Sequence, residues 1–240
     1  MKSYVIKFFG ISLLFLLVSL SSTSAQSISV NADFVSRYIW RGIDLGANTP
    51  SLQPSVKLTA GGLTAGFWGA YAFSNSDALE EIDLYASYSF ALAESGTLSV
   101  GLTDYMNPNS GTKIGNIHNH NDEKGPGAHF VELNAGYTGP ESFPISLSFN
   151  TFLYNVAENP IYFQVGYATA LDGVGLNLFV GGTPGEDGGY YGATDFSIIN
   201  VGFTATRSIK ISDSFSVPIF GSVILNPASE NLFYVLGFSL

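Results

Sequence analysis

The chain has 240 residues, with 19 acidic against nine basic side chains and a formal net charge of −10. This acidic balance argues against nucleic acid or an anionic lipid surface as a partner. Charged residues make up only 12% of the chain, about half the share of a soluble domain. It contains no cysteine, which excludes a fold held by disulfide bonds.

Residues 1–25 have the pattern of a secretory signal peptide. Lys2 and Lys7 accompany the apolar run FFGISLLFLLVSL, and small residues precede Gln26. That run is shorter than the ~20 residues of a membrane-spanning helix, which disfavours an uncleaved anchor. We therefore expect cleavage after Ala25, export, and one domain over residues 26–240.

Twelve segments beyond residue 25 alternate between apolar residues and small or polar ones. In FPISLSFNTFL, residues 143–153, apolar residues occupy most of the alternate positions that begin at Phe143. This period of two predicts β-strands, and most segments approach the ~9–11 residues that a tilted strand needs to cross a bilayer. The predicted strands are 27–41, 51–60, 62–73, 81–92, 96–105, 128–138, 143–154, 160–171, 174–183, 195–206, 214–225 and 231–240.

Short turns and longer loops alternate between these strands. The turns are 61–62, 93–95, 139–142, 172–173 and the somewhat longer 207–213, whereas the long loops are 42–50, 106–127 and 184–194. The alternation gathers turns at one rim and loops at the other, as in bacterial outer-membrane barrels. With the N-terminus in the periplasm, the long loops face the outside.

The second face of the strands carries mostly Gly, Ala, Ser, Asn and Thr, as at Thr64, Gly66 and Ala70. A strand face in bulk water would be richer in charged residues, whereas small residues fit the concave inside of a barrel. A secreted β-sandwich or lipocalin-like barrel is the alternative. The sequence favours an all-β fold, a single transmembrane antiparallel up-and-down β-barrel of about 12 strands in the bacterial outer membrane, in contact with its lipid.

Aromatic residues near the strand ends predict two girdles at the membrane interfaces. The alternative is that Phe and Tyr are simply common in strands. The girdle candidates are Trp40, Tyr71 and Phe73 at the long-loop rim, and Phe90, Tyr137, Phe143 and Phe215 at the short-turn rim.

Charged residues on the strands alternate with the apolar stripe and so should face the lumen. In SRYIWRG, residues 36–42, this places Tyr38 and Trp40 toward lipid. We expect a narrow lumen with a mixed-charge constriction that small hydrophilic solutes cross by passive diffusion. A structural ion-pair network is the alternative. The lumen candidates are Asp33, Arg37, Arg41, Lys57, Asp83 and Glu132.

No pattern predicts catalysis or a cofactor, and the chain lacks a Gly-x-Ser-x-Gly motif. His118, His120 and Asp122 in the longest loop have side chains that suit a transition metal. A solvated loop tip is the favoured interpretation of these three residues. The sequence predicts no catalytic residue, and nothing in it marks an oligomer interface.

YIWRGIDLGANTPSLQP and EIDLYASYSF resemble conserved segments of the TorF-type porin family, an uncharacterised group of outer-membrane barrels, in its Bacteroidetes-like members. The resemblance implies an outer-membrane barrel with a channel role. The ending NLFYVLGFSL resembles the C-terminal strand that the outer-membrane assembly machinery binds, although Leu240 stands where an aromatic residue is usual. A structural or adhesive barrel that acts through its outer loops is the alternative function.

Overall fold

The computed structural model describes residues 26–74 and 77–240. The predicted signal peptide, residues 1–25, lies outside the described residues. Within the described ranges the helical structure is limited to two 3-10 turns, Ala93–Ser95 and Pro108–Ser110. In that part of the chain no helix has the length and apolar character needed to cross a membrane.

Twelve antiparallel strands form a closed barrel, which confirms the predicted all-β, up-and-down architecture. Neighbours in the sequence are neighbours in the sheet, and β1 closes the barrel between β4 and β14. The two short strands β2 and β3 form a separate hairpin. The barrel strands are β1 Gln26–Val35, β4 Ser51–Ala60, β5 Leu63–Ala72, β6 Glu81–Ala91, β7 Thr97–Met106, β8 Phe130–Thr138, β9 Ile145–Tyr154, β10 Ile161–Leu171, β11 Val174–Thr183, β12 Ser197–Ser212, β13 Phe215–Asn226 and β14 Asn231–Ser239; the hairpin is β2 Ile39–Trp40 and β3 Ile43–Asp44.

Two predicted strands have the wrong ends. The first was expected over 27–41, but β1 stops at Val35 and the chain then turns into the barrel. The tenth was expected over 195–206, yet β12 continues to Ser212, so the predicted turn at 207–213 is wrong. Ile209 and Ile211 extend the exposed apolar row of β12, which explains why pairing with β13 continues through this stretch.

The outward face of the barrel is apolar and exposed. Leu84, Val100, Leu147 and Val165 are each more than 40% exposed on the wall. A transmembrane barrel presents such a face to lipid. Among the girdle candidates, Phe73, Phe90, Phe143 and Phe215 are exposed, and Tyr71 and Tyr137 are partly exposed. Their interfacial role stays a prediction.

The two halves of the lumen differ. We call them the short-turn half, near turns such as Asp213–Ser214, and the long-loop half, near loop 107–129. The short-turn half contains a cavity of about 300 Å³ with polar side chains such as Ser99, Thr103 and Ser148. Buried aromatic and aliphatic side chains narrow the long-loop half, and the fully buried ones include Phe152, Tyr162, Tyr191 and Ile199.

Candidate functional site in the lumen

Residues 36–50 leave β1 and fold into the long-loop half of the barrel; we call them the inserted segment. Its hairpin turns at Arg41 and Gly42, with φ of 51° and 80°. Positive φ at both central residues defines a type I′ turn, which glycine favours. A Cβ at position 42 would also collide with the Ile199 carbonyl of β12. The turn is therefore seated directly against the inner wall.

A buried ion pair fixes the tip of the inserted segment. Arg41 Nη1 donates to Glu132 Oε1 at 2.6 Å, and Nη2 donates to Oε2 at 2.8 Å. The Glu132 side chain on β8 is 0% exposed and that of Arg41 is 11% exposed. Such a two-pronged pair is both short and directional, so it specifies one position for the turn.

Aromatic rings enclose the Arg41 guanidinium. Its central carbon lies 4.4 Å from the Trp40 ring centroid, 4.6 Å from that of Tyr162 and 5.8 Å from that of Tyr191. Nη1 also donates to the Tyr191 hydroxyl at 2.6 Å. Cation–π attraction strengthens when the charge is removed from water. The rings therefore stabilise Arg41 in addition to its carboxylate partner.

Further hydrogen bonds satisfy the Glu132 carboxylate. The Tyr105 hydroxyl donates to Oε2 at 2.9 Å, and Asn134 Nδ2 donates to the same atom at 2.7 Å. Asn134 Nδ2 also donates to Asn150 Oδ1 at 3.0 Å, and Thr103 donates to Asn134 at 2.7 Å. A buried charge is tolerated when it is paired and fully hydrogen-bonded. The network joins β7, β8 and β9 behind the ion pair.

The start of the inserted segment is held by side chains of β5 and β6. The Tyr38 hydroxyl donates to Glu81 Oε1 at 2.7 Å, and the Tyr38 ring lies 5.3 Å from that of Trp68. Arg37 Nε lies 3.6 Å from Asp44 Oδ2. The Tyr38 contacts and the Arg41 pair therefore hold the segment at two points of the inner wall, and the Arg37–Asp44 pair braces it internally.

Of the six predicted lumen residues, only two contact each other. Arg41 and Glu132 form the pair, whereas Arg37 contacts Asp44 within the inserted segment. Asp33 accepts a hydrogen bond from Asn31 at 2.7 Å. Lys57 is exposed in the short-turn half, and Asp83 is buried on β6.

The prediction that Tyr38 and Trp40 face lipid is wrong. Tyr38 is 7% exposed inside the barrel, and the Trp40 ring lies 6.1 Å from that of Tyr105 and 5.7 Å from that of Tyr191. Trp40 therefore does not belong to an interfacial girdle. The expected strand row of Asp33, Arg37 and Arg41 is also absent because β1 ends before the two arginines.

Sequence reasoning missed the residues that complete the site. Tyr190 and Tyr191 lie in loop 184–196, and Tyr191 is 1% exposed. The signal was present in GEDGGYYGAT, since two adjacent aromatic residues are unusual in a solvated loop. Glu81, at the first position of β6, lay next to the predicted Asp83 and is buried as well.

The three metal candidates in the longest loop do not converge. His118 Nδ1 lies 3.0 Å from Asp122 Oδ2, while His120 contacts the Asn119 side chain. A hydrogen bond from the Asn119 backbone, with a second from His118, lowers the pKa of Asp122. Over residues 26–74 and 77–240, no group of three or more His, Asp or Glu side chains could hold a metal ion.

A family model matches residues 20–207, a range that includes both Arg41 and Glu132. The chain belongs to the family described as "Bacterial protein of unknown function (Gcw_chp)". A comparison with curated proteins finds no match. Among solved structures, the chain is similar to one described as "KdgM porin", with a TM-score of 0.48 and 9% sequence identity, over 90% of this chain and 98% of that chain. The resemblance to TorF-type porins of Bacteroidetes-like bacteria stays a prediction.

Proposed function

We propose that this member of the Gcw_chp family is an outer-membrane channel through which small hydrophilic solutes diffuse passively. The observation that carries the proposal is the division of the barrel surface, with apolar side chains outward and polar ones in the lumen. Contact with lipid requires the apolar outward face, and a water-filled passage requires the polar side chains of the lumen. The proposal assigns no catalytic step to the protein.

The predicted export signal and the apolar wall both support an outer-membrane location. The signal peptide would be removed after Ala25. The C-terminal strand β14 would bind the assembly machinery before it pairs with β1. Fractionation of cell envelopes tests this location, and recovery of the protein in the soluble periplasmic fraction would contradict it.

The inserted segment supports a closed resting state with a mixed-charge constriction. The Arg41–Glu132 pair holds the hairpin in the long-loop half, whereas the short-turn half has a polar cavity. On this proposal a solute crosses when the hairpin moves or tightens against the wall. The ion pair would then set both the gate and the transverse field that a permeating ion meets.

Single-channel recording in planar bilayers tests this gate. We expect Arg41→Ala to raise the open probability or conductance because the hairpin loses its paired charge and its cation–π contacts. Lys210→Ala is the matched control, since Lys210 pairs with Asp213 on the exposed short-turn rim. Unchanged conductance and ion selectivity in Arg41→Ala would remove the gate from the proposal.

The second candidate is a structural or adhesive surface barrel that acts through its outer loops. Its supporting observation is the packing of the long-loop half, where Glu132 and Phe152 are at most 1% exposed. Liposome swelling with sugars, amino acids and small ions separates the two candidates. Failure of both the wild type and Arg41→Ala to admit any solute would favour the non-transporting barrel.

A further inference from the structure

A second cavity of about 320 Å³ lies between the inserted segment and the barrel wall. Four aromatic side chains from the wall and loops, together with Trp40 of the inserted segment, make up half of its ten lining residues. Its volume is within the range of small-molecule sites. The aromatic lining residues are Trp40, Tyr105, Phe130, Phe152 and Tyr190.

Several of these rings are steeply inclined to one another. The Trp40 ring is inclined at 74° to Tyr105 and 82° to Tyr190. Tyr190 in turn is inclined at 61° to Phe152, with centroids 5.1 Å apart. Aromatic faces carry negative partial charge, so each ring whose face borders the cavity would favour a cation there.

Glu81 is the one charged residue among the described residues that line this cavity. It is 5% exposed, and its Oε1 accepts the Tyr38 hydroxyl hydrogen bond. A carboxylate in a wall of aromatic rings repels anions and attracts positive charge. Asn107 adds a polar group to the same lining.

Asp83 adds a second buried carboxylate on the same face of β6. It is 8% exposed, and its Oδ1 is buried with no hydrogen-bond partner. An unpaired carboxylate away from water is costly unless a cation or a proton neutralises it. The two arginines of the inserted segment are already paired, Arg41 with Glu132 and Arg37 with Asp44. Neither arginine of the inserted segment is therefore available to neutralise Asp83, which leaves a proton or a bound cation to do so.

We propose that this aromatic cavity binds an organic cation, a small molecule with an alkylated or primary ammonium group. The ammonium group lies against Glu81, with Asp83 two positions further along β6, and its carbon substituents contact the rings. The role of this cation as a transported solute rests on the channel function proposed above. Binding of the cation in the cavity does not require transport.

Tryptophan fluorescence of the purified barrel in nonionic detergent micelles tests the site. The chain has two tryptophans; Trp40 lines the cavity, and Trp68 contacts Tyr38, the hydrogen-bond partner of Glu81. We expect tetramethylammonium or n-butylammonium chloride to give a saturable change that sodium chloride and sodium butyrate at equal ionic strength do not give.

Neutral variants of the same shape identify the carboxylates. Glu81→Gln should weaken binding about tenfold or more, the loss expected when a charged partner is removed, and Asp83→Asn should weaken it in the same direction. Glu141→Gln, in the exposed turn at 139–144, is the matched control and should bind like the wild type. Heat-dependent gel mobility establishes that each variant is folded. If Glu81→Gln does not fold, Asp83→Asn and Phe130→Ala test the site in its place, and each should weaken ammonium binding.

The outcomes separate this site from the channel. No saturable change with either ammonium salt, equal binding of butyrate, or full affinity in the folded carboxylate variants would overturn the site. Saturable ammonium binding in a barrel that conducts nothing would support the site and contradict the channel. Conductance without ammonium binding would support the channel and contradict the site.

Discussion

At the scale of single residues, Arg41 determines how the long-loop half is filled. A guanidinium keeps its proton at any physiological pH, so its burial depends on a permanent negative partner. Glu132 supplies that charge from β8 and takes two further hydrogen bonds from Tyr105 and Asn134. The pair specifies a single arrangement because neither charge has another oppositely charged partner at salt-bridge distance among the described residues.

Glu132→Gln should destabilise the barrel by about 3–5 kcal/mol, the usual cost of leaving one charge of a buried pair alone. Denaturant unfolding in detergent or lipid measures the change. The double variant Arg41→Met with Glu132→Met should recover most of the loss, because apolar replacement of a whole buried pair is often neutral. Lys210→Met serves as the exposed control. A Glu132→Gln barrel as stable as the wild type would contradict burial of the pair.

His129 links the longest loop to the top of β7. Its Nδ1 lies 2.7 Å from Asp104 Oδ2, and its Nε2 lies 2.8 Å from the Ile114 carbonyl oxygen. A carbonyl oxygen and an ionised carboxylate only accept hydrogen bonds, so the doubly protonated ring satisfies both partners. Partial burial opposes the charge, but these two hydrogen bonds outweigh it and raise the pKa of His129.

Docking of loop 107–129 should therefore weaken as the pH rises. A raised folded-state pKa means that the stabilisation is complete below the unperturbed value of about 6.5 and is lost as the pH passes the higher folded-state pKa. Hydrogen exchange of residues 107–128, corrected for its intrinsic pH dependence, measures the docking. His129→Gln should remove the dependence and His120→Gln should retain it. Stronger protection at high pH would contradict the tether.

At the scale of elements, the strands follow their local pattern closely and the inserted segment does not. The strand predicted over 174–183 has these bounds in the structure, and that predicted over 62–73 is Leu63–Ala72. Each strand residue meets either lipid or the lumen, so the period of two carries the information. In SRYIWRG the same alternation describes a hairpin inside the lumen, where Trp40 contacts Tyr105. Local pattern alone cannot separate the two.

Gly42→Ala should displace the inserted segment. The alanine Cβ would meet the Ile199 carbonyl, and the positive φ at position 42 is unfavourable for a side chain. Trypsin cleaves after arginine, so cleavage at Arg37 and Arg41 should appear in the folded variant and be slow in the wild type. Gly188→Ala is the matched control, because a Cβ there meets open space. Equal protection of the three proteins would contradict the seating of the turn.

At the scale of the whole molecule, the sequence predicts the strands of the barrel wall but not the segments that enter the lumen. The alternating strands predicted a narrow lumen with a mixed-charge constriction. The structure fills its long-loop half with the inserted segment and with Tyr191 of loop 184–196. The contact that decides this joins Arg41 to Glu132, which are 91 positions apart. Nothing in the neighbourhood of either residue specifies the other, so a pattern confined to neighbouring residues cannot reveal it.

The difference between the two halves of the lumen has an electrical consequence for the proposed channel. Water in the short-turn half would conduct, so a voltage across the membrane would fall mainly over the narrowed long-loop half. Arg41 and Glu132 lie there, and one elementary charge carried through the full voltage changes energy by about 2.3 kcal/mol per 100 mV. Withdrawal of the hairpin separates two opposite charges along that field. One polarity would therefore assist the proposed withdrawal and the other would oppose it, so the proposed gate predicts a channel that responds unequally to the two polarities.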